Sequence, residues 1–118
     1  MTNIKLVALD MDGTLLNSQS RLSKGNQAAL EKAMKAGIYI VPATGRVYST
    51  LPEPVKNLPG VQYVLSSNGA AVYRVGEQSP IYTNFMSREK ALEIFHAIED
   101  IDCIKEFYVE GYGYFEQS

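Results

Sequence analysis

One cysteine, one histidine and no tryptophan in 118 residues remove several chemistries at the outset. Cys103 has no second cysteine for an internal disulfide and no Cys or His at metal-ligand spacing, so it reads as a small core residue rather than a thiolate nucleophile. His96 lies beside Phe95 on a helical pattern and forms no HxxxH or HExxH pair, which reads as a surface or half-buried helical histidine. No apolar run approaches the roughly 20 residues of a membrane span, and the start lacks the basic-then-apolar layout of a secretory signal. A cytoplasmic protein with no membrane partner is the expectation. A net charge of −2, from 11 basic and 13 acidic side chains, gives no electrostatic reason to expect nucleic acid. With 46% hydrophobic residues the chain has room for one modest core.

What is present alternates between short apolar runs and helical stripes. Apolar residues dominate Ile4–Leu9 without alternation, as in a parallel strand covered on both faces. Leu30, Ala33, Met34 and Gly37 repeat at helical spacing behind Ser23, predicting a capped helix from about Lys24 to Ala36. Ile38–Val41 then predicts a second strand, and a strand–helix–strand unit of this length closes a right-handed parallel crossover. Three prolines, Pro52, Pro54 and Pro59, restrict any helix over 47–59 to a short one or one that begins at a proline. Val61–Leu65 is a third strand candidate, and Ala70–Val75 with Ile81–Thr83 predicts a small hairpin across Gly76–Ser79. Ala91, Ile94, Phe95 and Ile98 form a further helical stripe capped by Ser87, followed by strands over Ile104–Val109 and Tyr112–Phe115 around Gly111. The order predicts a doubly wound α/β first part followed by the beginning of something different.

The chemistry concentrates in Leu9-Asp10-Met11-Asp12-Gly13-Thr14-Leu15-Leu16, where two carboxylates and a glycine turn follow the first strand. Ligands of open α/β sheets bind just beyond such strand ends. Phosphoryl transfer demands a positioned nucleophile, a cation against the anionic oxygens and donors that hold the transferring group in line. Two carboxylates this close, Asp10 and Asp12, can take two roles, one facing the metal and phosphorus and the other reaching the leaving or attacking oxygen. Mg²⁺ prefers oxygen ligands and takes one or two protein carboxylates, which suits Asp10 plus a backbone carbonyl. Thr44, at the end of the second strand, emerges at the same sheet edge as Asp10. Plainer readings stand beside these: Asp-Gly makes turns, Thr44 caps a strand-to-helix junction, and Asn68-Gly69 is a strong turn signal by itself.

Asp10-x-Asp12-Gly13-Thr14 followed by Thr44-Gly45-Arg46 resembles the first two motifs of the haloacid dehalogenase (HAD) superfamily. Within it, Leu9–Leu16, Ala43–Arg46 and Ser67–Ala70 resemble the Cof-type phosphatases. The resemblance implies an incomplete Rossmann-like parallel sheet over 1–84, the N-terminal half of the core, and the start of an α+β cap domain over 85–118. It implies an Mg²⁺-dependent hydrolase of small phosphorylated metabolites, sugar phosphates or similar. In that reading Asp10 is the nucleophile that forms an aspartyl-phosphate, and Asp12 is general acid for the leaving alcohol and then base for water. The metal would sit on Asp10 and the backbone carbonyl of Asp12. Thr44 and the backbone N–H groups of Met11 and Gly45 would hold phosphoryl oxygens, and Arg46 and Asn68 would lie near substrate or cap.

The family pattern continues with a phosphate-binding lysine and a second acidic pair. Between the hairpin and Ser118 there is no Gly-Asp-x-x-Asn-Asp string, and Lys90 and Lys105 fall in the cap-like region. The alternative is therefore a non-catalytic fragment or regulatory remnant that binds Mg²⁺ and phosphate without turnover. A receiver domain fails on placement, because Val61–Leu65 runs into Ser66-Ser67-Asn68 with no phosphoacceptor aspartate. The first strand is expected at the edge of the sheet, where an exposed apolar strand invites pairing with another chain. A homo-oligomer through that edge and a longer gene product are the two expectations.

Overall fold

The computed structural model describes residues 3–115. The chain divides into two compact units, Met1–Thr83 and Asn84–Ser118.

The first unit is a five-stranded sheet in the order β1 (Leu6–Asp10), β2 (Tyr39–Ala43), β3 (Tyr63–Ser66), β4 (Ala71–Arg74) and β5 (Tyr82–Thr83). The first three strands are parallel, with Asp10 opposite Ala43 and Ala43 opposite Leu65; β3, β4 and β5 pair antiparallel. Pro42 sits inside β2 yet removes little from the ladder. In β2 the N–H groups alternate between neighbours, Tyr39 donating toward β1 (2.8 Å to the Lys5 carbonyl) and Thr44 toward β3 (3.0 Å to the Leu65 carbonyl). The missing donor of Pro42 therefore points toward β3, where pairing begins only at Ala43.

Helix α1 (Lys24–Lys35) connects β1 to β2, and the short helix α2 (Glu53–Lys56) lies between β2 and β3. Ser23 caps α1 by accepting from the Asn26 N–H at 3.1 Å, and the Asn26 side chain donates to the Leu15 carbonyl at 2.9 Å, fastening the helix start to the loop after β1. At the other end Gly37, at φ +81°, lets the chain turn back while its N–H and that of Ile38 satisfy the last carbonyls. Pro52 caps α2 with Pro54 in its first turn, as the three prolines demand.

Both helices pack on one face. Leu30 of α1 meets Ile40, Leu58, Val61 and Leu15, with Val7 and Leu9 of β1 against them, while Val55 of α2 meets Val64, Leu51, Met11 and Leu16. The pleat puts Val7, Leu9, Ile40, Pro42 and Val64 on the same side of the sheet. This narrows the doubly wound expectation. Strands β1, β2 and β3 step across the sheet in one direction, so right-handed crossovers place both connecting helices on the same face. Winding on the other face needs a strand beyond β1, and no described residue lies there. β1 is accordingly an edge strand, and Leu6 (54% exposed) and Tyr39 (53%) lie open on the uncovered face.

In the second unit α3 (Arg88–Ala97) is capped by Ser87, which accepts from the Lys90 N–H at 3.2 Å, and β6 (Glu106–Val109) and β7 (Tyr112–Phe115) form a hairpin through Glu110 and Gly111, both at positive φ. Phe95 of α3 packs on Phe107 of β6 with ring centroids 5.7 Å apart. β6 starts at Glu106 rather than Ile104, which is 87% exposed. His96 is exposed, with Nδ1 3.2 Å from a Glu99 carboxylate oxygen. Cys103, expected as a core residue, is exposed: it lies between α3 and β6, outside any packed stripe. Among the described residues no helix is long and apolar enough to cross a membrane.

Candidate functional site

Parallel pairing of β1 with β2 brings two distant sequence motifs to one sheet edge. Asp10 closes β1 opposite Ala43, so Thr44 and Gly45 follow directly beside it. Behind Asp10 the chain winds tightly. The Leu15 N–H donates to the Asp10 carbonyl at 3.2 Å and the Leu16 N–H to the Met11 carbonyl at 2.8 Å, two bonds spanning five residues each. Gly13 supplies the positive φ (+76°) that this coil requires, and buried Met11, Leu15 and Leu16 anchor it in the core. The Thr14 hydroxyl donates to Asp10 Oδ2 at 3.1 Å, which fixes the carboxylate at the strand end.

The second wall comes from the β3–β4 turn. Ser67, Asn68 and Gly69 all have positive φ (51°, 56° and 88°), a conformation that Asn and Gly tolerate and serine rarely adopts. Two backbone bonds hold it: the Asn68 N–H donates to the Thr44 carbonyl at 3.1 Å and the Ser67 N–H to the Arg46 carbonyl at 2.9 Å. The result is a cleft of about 380 Å³ lined by Asp10, Ala43, Thr44, Gly45, Leu65, Asn68 and Gly69. Thr44 is buried, and its hydroxyl accepts from the Arg46 N–H at 3.1 Å. Gly45 leaves room for the Asn68 carboxamide, since a Cβ there would stand 2.9 Å from Asn68 Oδ1.

Of the seven residues singled out in the sequence, Asp10, Thr44, Gly45 and Asn68 line this cleft. Met11 does not; its side chain is fully buried in the core. Asp12 and Arg46 also stay off the lining and engage each other, with Arg46 Nε 2.8 Å from Asp12 Oδ2 and Nη2 2.6 Å from Oδ1. The two side chains are 49% and 34% exposed. The guanidinium hydrogen bonds hold the Asp12 carboxyl below its ordinary range, against a smaller opposing effect of burial, and the carboxylate in turn raises Arg46. Sequence reasoning missed Ala43, Leu65 and Gly69 as wall residues; the signal available was the place of Ala43 and Leu65 near the ends of the next two strands and of Gly69 in the turn that follows the second of them.

The donor set at the strand end is oxygen only. Asp10 offers a carboxylate with Oδ1 unengaged among the described residues, and the main-chain carbonyl of Asp12 follows two residues on. No group of three or more His, Cys, Asp or Glu side chains that could hold a metal occurs among the described residues. One carboxylate and one carbonyl fit a Mg²⁺ ion that keeps waters and a substrate oxygen as its other ligands, and fit poorly a metal that demands a nitrogen or sulfur cage.

The model of the haloacid dehalogenase-like hydrolase family matches residues 7–118. The chain belongs to this family. Its phosphatase relatives include the 5-amino-6-(5-phospho-D-ribitylamino)uracil phosphatase YcsE of Bacillus subtilis, 38% identical over 71 residues, 60% of this chain and 28% of the relative. A second Bacillus subtilis phosphatase of the same description, YwtE, is 31% identical over 92% of this chain and 36% of its own length. Among solved structures, a haloacid dehalogenase-like hydrolase from B. subtilis superposes with a TM-score of 0.80 at 30% identity, covering 98% of this chain and 40% of its own. A HAD-superfamily phosphatase from Bacteroides thetaiotaomicron gives 0.83 at 27%, covering 98% and 42%. The resemblance to Cof-type phosphatases and the Rossmann-like fold therefore stand, and the chain spans less than half the length of these relatives.

Proposed function

We propose that this chain carries the phosphoryl-transfer corner of an Mg²⁺-dependent phosphatase of small phosphorylated metabolites. The observation that carries the reading is Asp10, its carboxylate held by Thr14, lining one cleft together with Thr44 and Gly45. In this reading an Asp10 oxygen attacks phosphorus and the bond from phosphorus to the substrate's bridging oxygen breaks. Asp12 protonates that oxygen as it leaves as an alcohol. Water then attacks the aspartyl-phosphate, giving up a proton to Asp12, and the bond between phosphorus and Asp10 breaks, which releases phosphate, restores the Asp10 carboxylate and returns Asp12 to its acid form. Thr44 and the backbone N–H groups of Met11 and Gly45 hold the phosphoryl oxygens, while Arg46 and Asn68 meet the substrate. Asp10 and the Asp12 carbonyl would hold Mg²⁺, which supplies positive charge against the phosphoryl oxygens.

The compact unit ending at Thr83 is read as the N-terminal half of the catalytic core and the unit from Asn84 as the start of a cap. The phospho-ribitylamino-uracil phosphatases among the relatives make a phosphorylated polyol or sugar the favoured substrate class. A cytoplasmic location suits such a metabolite. The open β1 edge, flanked by exposed Ile4 and Leu6, is read as a pairing surface, in a homo-oligomer or with further chain.

Hydrolysis of an aryl phosphate by this chain, with and without Mg²⁺, beside an Asp10→Asn control, tests the reading. Metal-dependent turnover lost in the control supports it; equal rates in both proteins, with phosphate still bound, would favour the binding-only alternative.

A further inference from the structure

Arg46 has a fixed backbone and a side chain with two competing uses. Its N–H is tied to the Thr44 hydroxyl and its carbonyl to the Ser67 N–H, so the residue cannot drift from the cleft wall that Thr44 and Gly45 form. Its guanidinium meanwhile grips Asp12 through two parallel bonds of 2.6 and 2.8 Å, and neither side chain lines the cleft. The cleft lining itself carries one charged group, the Asp10 carboxylate, and no cation. A phosphoryl dianion entering it would meet negative charge with no positive side chain in the lining. The nearest cation in sequence to the Thr44–Gly45 wall is Arg46.

We propose that Arg46 is an anion-responsive positioning residue, which clamps Asp12 away from the cleft when the cleft is empty and exchanges that carboxylate for a phosphoryl group when one binds. A guanidinium presents the same planar fork to a carboxylate and to a phosphate, and the phosphate offers more negative charge. The clamp is half exposed to water, so it is weak enough to be opened by a competing anion. Its opening releases Asp12, whose carboxylate is then free to turn toward the reacting oxygen. Phosphate binding and the availability of Asp12 thus become one event, and an unliganded cleft keeps Asp12 occupied. This inference rests on the reading of the cleft as a phosphoryl site.

The test is a titration of inorganic phosphate into the 118-residue chain, followed by NMR at the Thr44 and Gly45 amides, the Arg46 Nε–H and the Asp12 carboxyl carbon. All four are expected to shift along one binding curve. Asp12→Asn, which frees the guanidinium, is expected to tighten phosphate about two- to fivefold, the strength of an exposed ion pair. The same substitution in an Arg46→Gln background is expected to change affinity much less, which separates release of Arg46 from simple removal of a negative charge. Shifts at Thr44 and Gly45 with an unmoved Arg46 Nε–H and Asp12 carbon would overturn the exchange and leave the phosphoryl site standing. Equal tightening in both backgrounds would also overturn it. Silence at the Thr44 and Gly45 amides would overturn the phosphoryl-site reading and the exchange together.

Discussion

Alanine at position 45 isolates the contact that shapes the cleft. Gly45 does not have a positive φ, so alanine is conformationally allowed and, through the unfolded state, would by itself stabilise by about 0.4–1 kcal/mol. Its Cβ, however, would stand 2.9 Å from Asn68 Oδ1, with the carboxamide carbon and nitrogen at 3.6 and 3.7 Å. The Asn68 backbone is pinned to the Thr44 carbonyl and set at φ 56°, so only its side chain can yield. Overpacking of this kind costs about 1–3 kcal/mol, and a side-chain end places it at the lower limit. Gly45→Ala should therefore be near neutral to about 1 kcal/mol destabilising. Asn68→Gly removes the obstruction while suiting the left-handed conformation, and in that background Gly45→Ala should stabilise by about 0.5 kcal/mol or more. Equilibrium urea unfolding of the four proteins reads the coupling, expected at about 0.5–1.5 kcal/mol. Additivity within about 0.3 kcal/mol would refute the close contact and with it the role of Asn68 as a cleft wall.

Val64 is fully buried against Met11, Leu16, Leu51 and Val55, and Val64→Ala should cost about 2 kcal/mol in urea unfolding. Ser23→Ala removes the α1 cap and should cost about 1 kcal/mol by the same measurement, with Ser23→Gly milder. Because Arg46 depresses the Asp12 carboxyl below 3.8, the pair stabilises the fold above the unfolded-state value and loses that contribution as pH falls through the folded one. The stability difference between the native chain and Asp12→Asn should be flat near neutrality and shrink below about pH 3.8, by less than about 1 kcal/mol because both groups are half exposed.

Local signals carried well where one physical effect decides. Ser23 and Ser87 cap helices as their spacing predicts, and the prolines around α2 restrict it to four residues. Asp10 and Thr44 meet because β1 and β2 pair in parallel with Asp10 opposite Ala43, so both motifs follow the same ends of adjacent strands. What stayed hidden depends on partners far apart in sequence. The Arg46–Asp12 pair joins residues 34 positions apart, and nothing in either motif announces that the guanidinium will turn to that carboxylate. Cys103 departs from the core expectation because its apolar neighbours Ile101 and Ile104 are themselves exposed, so hydropathy there does not report burial. The placement of both helices on one face follows from strand order, a tertiary property that periodicity does not contain.

The proposed function rests on Asp10 accepting a phosphoryl group. Incubating the chain with acetyl phosphate and Mg²⁺, then mapping the modified peptide by mass spectrometry, tests it without requiring turnover. One added phosphoryl group is expected on Asp10, dependent on the metal and absent from Asp10→Asn. Modification at another side chain, or an equal yield in Asp10→Asn, would contradict it.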